Sequence, residues 1–107
     1  MARRPTGPLR VWEETLLAAY RDYLYRRVLT PLAERVDQWR AEDITHEDLD
    51  AALHVAHTEL QKVYALVTGP RRELAAAAVA DRRWYEAFLA EVPPPDDDDD
   101  EGAPADE

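Results

Sequence analysis

Glu47, Asp50, His54, His57, Gln61 and Tyr64 recur at alternating steps of three and four, so a helix through them carries one continuous polar stripe. Within it Asp50, His54 and His57 would offer one carboxylate and two imidazoles to a single ion, with water or a second subunit completing a tetrahedron. The stripe contains neither the H-E-x-x-H of zinc hydrolases nor the Glu-x-x-His pairs of di-iron bundles. The simpler expectation is a solvated helix flank whose histidines border an apolar stripe, or a seam in which histidines fix the register of a neighbouring helix. The chain has no cysteine, which excludes a thiolate nucleophile and thiolate metal ligands. None of its three glycines belongs to a phosphate-cradling loop. The residues therefore predict a non-enzymatic protein without a cofactor, with metal or ligand binding on the Asp50/His54/His57 stripe as the alternative.

Twelve of the 13 basic residues are arginine, and they fall in pairs at Arg26–Arg27, Arg71–Arg72 and Arg82–Arg83 among acids. Such pairs solubilise a helix through i, i+4 partners such as Asp22 with Arg26. They do not favour nucleic-acid binding, because base stacking needs exposed aromatics beside the cations; a nucleic-acid-associated regulator is the third reading. Arg10 and Arg27 stand seventeen apart, which is similar to the arginine spacing of the small all-helical chorismate mutases. The lysine, second-helix arginine and late glutamine or glutamate of that family's anion cage have no counterpart here. Arg40 and His46 resemble the loose R-x5-H pattern of HEPN ribonucleases, without the flanking signature and across an expected loop.

The 107 residues carry a formal charge of −10. Residues 93–107, PPPDDDDDEGAPADE, hold eight of the 23 acids and no base, which leaves fifteen acids against thirteen bases, a net of −2, over residues 1–92. A folded part so close to neutral argues against a wholly acidic nucleic-acid mimic and a halophile-type acidic shell, and does not favour a basic nucleic-acid-binding face. Asp96, Asp97, Asp98, Asp99, Asp100 and Glu101 form a like-charge block behind three prolines, expected to be disordered and to act as a solubilising tail or as an electrostatic arm for a basic partner.

The elements follow from periodicity and punctuation. Residues 1–8, with Pro5, Gly7 and Pro8, predict a flexible arm, and residues 9–92 a single helical domain. From Leu9 to Arg40 the pattern is helical. Trp12, Leu16, Ala19, Tyr20, Tyr23 and Arg27 share one face, whereas Tyr25, Val28, Leu32, Val36 and Trp39 share another. Pro31 stands at the changeover behind Thr30, a good N-cap residue, which predicts a kink or break there. Thr45, with Asp48 three residues later, reads as the capping box of a second helix over 46–67. Its apolar stripe is Leu49, Leu53, Ala56, Leu60, Val63 and Val67. Thr68, Gly69 and Pro70 end that helix, and a third is expected over 71–91. No stretch alternates like a strand.

Short connections between helices predict an all-α, up-down-up bundle of three helices, or effectively four if Pro31 breaks the first. The apolar arc of the first segment is too wide for two neighbours to cover. Leu17, Leu24, Tyr25, Val28 and Leu29 are accordingly expected at a protein contact. The resulting expectation is a small accessory or assembly subunit that self-associates, a dimer being the first form to test, or docks on a protein partner through its first segment. No window reaches the ~20 apolar residues of a membrane span and no signal-peptide core is evident, so a cytoplasmic location is expected.

Overall fold

The computed structural model describes residues 7–95. They form four helices, α1 (Gly7–Arg40), α2 (His46–Val67), α3 (Arg71–Ala80) and α4 (Arg82–Glu91), and no strand occurs among the described residues. Residues 1–6 of the expected arm and 96–107 of the expected acidic tail lie outside them, while Gly7 and Pro8, assigned to the arm, open α1.

Helix α1 runs unbroken through Thr30 and Pro31 for 34 residues, ~51 Å along its path at 1.5 Å per residue, so of the expected kink or break the break does not occur. Proline lacks an N–H for the Arg27 carbonyl and its ring crowds that oxygen. Both residues are exposed, so water can solvate the freed carbonyl and the rest of the helical ladder survives. The helix stops in a Schellman arrangement. Asp43 N–H donates to the Gln38 carbonyl at 2.8 Å and Glu42 N–H to the Trp39 carbonyl at 2.9 Å, with Glu42 at φ 64° in the left-handed region.

The start of α2 agrees with its sequence signature. The Thr45 hydroxyl accepts from Asp48 N–H at 3.0 Å and the Asp48 carboxylate accepts from Thr45 N–H at 3.1 Å, so two donors left over at the helix start are paired. Pro70 then opens α3, its carbonyl accepting from Glu73 and Leu74. The expected single helix over 71–91 is divided at Asp81, whose ψ of 76° takes one residue out of helical geometry before α4 resumes. Aspartate is a weak helix former that favours helix starts, and a carboxylate on the apolar side of a continuous helix would be costly to bury.

The chain clusters into two compact units. One joins the stretch up to Ala19 with the stretch from Ala75 onward. Its core contains Leu16, Leu17, Ala78 and Phe88. Around Phe88 an aromatic cluster forms, with Trp84 stacked at 5.3 Å and Trp12 tilted at 6.0 Å, and Trp12 Nε1 donates to the Val92 carbonyl at 2.8 Å. The other unit is Tyr20–Leu74, with Tyr20, Leu24, Ala56, Val63 and Leu74 buried. On α2 burial centres on Ala56 and Val63, and Leu53, assigned to the core by periodicity, is 45% exposed at the flank of the stripe.

Candidate functional site

Within the Tyr20–Leu74 unit the second half of α1 and α2 border an open groove of about 610 Å³. Its α1 wall is Tyr20, Leu24, Val28, Pro31 and Leu32, positions separated by three, four or one and so gathered on one helix face. Its α2 wall is Ala52, Val55, Ala56, Val63 and Leu66. The two alanines are short side chains at consecutive turns, which hollow that wall while Val55 stands 65% exposed beside them. Polar residues edge the groove: Arg27 and Arg35 from α1, and Glu59 and Lys62 from α2. Arg27 lies over the Tyr23 ring at 5.4 Å and Arg35 donates to Gln38 at 3.1 Å. Lys62 and Glu59 approach to 3.5 Å. Three cations and one carboxylate leave the rim basic.

The structure divides the residues expected at a contact. Leu17 is 2% exposed and buried within its unit, a correction to the reading that the whole arc is uncovered, whereas Leu24, 5% exposed, reaches the floor of the groove with little of its surface in water. Tyr25 and Val28 are half-buried, and Leu29 is 42% exposed. Val28 lines the groove together with Leu32 and Pro31. Val55, on the opposite wall, was not singled out by sequence: it lies off the four-three stripe of α2, and only its juxtaposition with α1 gives it a place.

The polar stripe does not assemble a metal site. Asp50 Oδ1 and His54 Nε2 are 3.5 Å apart on the solvated face of α2, with side chains 71% and 77% exposed. His57 is exposed one turn further on. Among the described residues no three histidine, aspartate or glutamate side chains converge as metal ligands do. Two i, i+4 ion pairs, Arg26 with Asp22 at 2.8 Å and Arg82 with Glu86 at 3.3 Å, show arginines engaged as surface charge.

A second hollow lies where α1 meets α2, bordered by Trp39, Arg40, Ile44, Thr45 and His46 with Glu42 and Glu47. Trp39 Nε1 donates to His46 Nδ1 at 2.9 Å, which requires Nδ1 to be unprotonated and leaves any imidazole proton on Nε2. Arg40 and His46 thus edge one hollow, as an R-x5-H spacing would need, but the two glutamates bring negative charge to the place where a phosphate would sit.

The chain matches no protein family, no characterised protein and no solved structure. Among the described residues no helix is long and apolar enough to cross a membrane.

Proposed function

We propose that the protein is a non-enzymatic helical interaction module, an accessory or assembly subunit that docks a protein partner in the groove between the second half of α1 and α2. The observation that supports this reading is the apolar lining itself, left open on a helix pair that buries Tyr20, Leu24, Ala56 and Val63 close by. Val55 keeps 65% of its surface in water. Each fully buried aliphatic side chain stabilises an association by roughly 1.5–3 kcal/mol before the costs of docking, so covering this lining is favourable. In this reading α1 and α2 run antiparallel through the five-residue connection and form a two-helix platform.

Nile red, an uncharged dye whose emission rises in apolar surroundings, tests the groove, and sedimentation equilibrium tests its occupancy. An open groove gives a particle of one chain with strong dye emission, reduced several-fold by Val55→Glu at unchanged helicity. A groove covered by a second copy gives two chains per particle and no emission, and Val55→Glu then yields a single-chain particle. A single-chain particle without dye uptake refutes the docking reading.

A further inference from the structure

The groove's rim and dimensions indicate what kind of segment fits it; this inference rests on the docking reading above. From Tyr20 to Arg35 the α1 wall covers ~22 Å, and from Ala52 to Leu66 the α2 wall covers ~21 Å, at 1.5 Å per residue. Walls of matched length with a hollow at two alanines suit one helix of about four turns lying along the groove, its apolar residues at i, i+3, i+4 and i+7. Arg27 and Arg35 are eight residues, ~12 Å, apart along α1, and Lys62 stands on α2. We infer that the groove receives an acidic amphipathic helix of a different protein, with apolar anchors flanked by carboxylates two turns apart that meet Arg27 and Arg35.

Charge selects this occupant over two others. A second copy joined by two-fold symmetry would set the same patch against itself, bringing three cations against three with Glu59, already 3.5 Å from its own Lys62, as the single acid on each side. The chain's own residues 96–107 have the right sign of charge, but DDDDDEGAPADE contains no apolar side chain larger than alanine or proline to fill an apolar floor. A partner helix satisfies both requirements, with hydrophobic burial giving affinity and the rim giving orientation and approach rate.

The test uses the full chain and three labelled probes: a fifteen-residue helical peptide with leucines in the four-three pattern and glutamates on both flanks, the same peptide with lysines for glutamates, and a peptide of residues 96–107. Binding is read by anisotropy and located by amide shifts of Val28, Val55 and Ala56. The glutamate peptide is expected to bind about tenfold tighter than the lysine peptide at low salt, a ratio that shrinks as ionic strength rises. Arg27→Glu with Arg35→Glu, both at exposed positions, should remove or invert the preference while helicity is retained. Equal or tighter binding of the lysine peptide in the groove overturns the acidic-partner inference and leaves docking intact. Binding of the 96–107 peptide as tight as the glutamate peptide, or a two-chain particle with the groove buried, also overturns it in favour of those occupants. Failure of every probe to shift the groove amides at millimolar concentration removes both the inference and the docking reading.

Discussion

Pro31→Ala is the sharpest test of the unbroken first helix. Proline in a helix interior is ~3 kcal/mol less favourable than alanine, because it deletes one backbone hydrogen bond and crowds the carbonyl four residues back. Here that carbonyl belongs to Arg27, an exposed residue, so water offsets part of the lost bond and the full difference is not recoverable. The ring also lines the groove, and alanine removes some of its apolar contact. Expected stabilisation is therefore about 1–3 kcal/mol, which for a folded region of this size corresponds to ~4–8 °C in Tm for each kcal/mol. Urea unfolding followed by circular dichroism would show the midpoint move up with the slope unchanged, since the surface exposed on unfolding hardly changes. A midpoint at or below that of the wild type would refute the reasoning. It would mean that residues 27–31 are not held in a continuous helix, or that the ring's packing outweighs the missing hydrogen bond.

Two further substitutions probe the ends of the elements. Glu42→Gly should raise stability by roughly 0.5–1 kcal/mol, because a left-handed φ of 64° costs an L-residue ~1–2 kcal/mol and part of that gain is returned as glycine's greater unfolded-state entropy; denaturant titration showing a loss would reject the Schellman geometry. Trp12→Phe retains a ring beside Phe88 but deletes the 2.8 Å bond to the Val92 carbonyl, so about 1 kcal/mol should be lost together with faster hydrogen exchange near the end of α4; no loss would show that water replaces the indole without penalty.

What the sequence revealed depended on whether a signal was local. The capping box at Thr45 and Asp48 is written in four residues and needs nothing else, and the structure shows both of its hydrogen bonds. Pro70 likewise opens α3 where local rules put it. At Pro31 the same rules could not choose between a kink and a break, because helix continuity there depends on solvent around Arg27 and on apolar neighbours lining one groove, both properties of the folded helix rather than of the dipeptide Thr30–Pro31. The end of α1 at Arg40 agrees with its periodicity, but not the manner of its stop: the turn uses left-handed backbone at Glu42, where glycine is the residue a reader looks for. Asp81 is an ordinary acid within a helical pattern in sequence, and only its ψ of 76° shows that the chain ends one helix there and starts another.

The groove was half legible, and the missing half is the informative one. Val28 and Leu32 announce themselves as apolar residues off the first stripe, yet periodicity cannot say which members of a wide arc become covered, and it grouped Val28 with Leu17 and Leu24, which are buried. On α2 the four-three stripe ranked Leu53 above Ala52 and Val55, because it scores spacing and size along one helix. A groove inverts that ranking. It is made where side chains are small, at Ala52 and Ala56, and bounded where a larger one protrudes, at Val55, so its position depends on which turns of α2 stand opposite Tyr20 through Arg35. The rim follows the same logic: Arg27, Arg35 and Lys62 are ordinary surface charges in sequence, and come to border one groove only through the apolar floor between them.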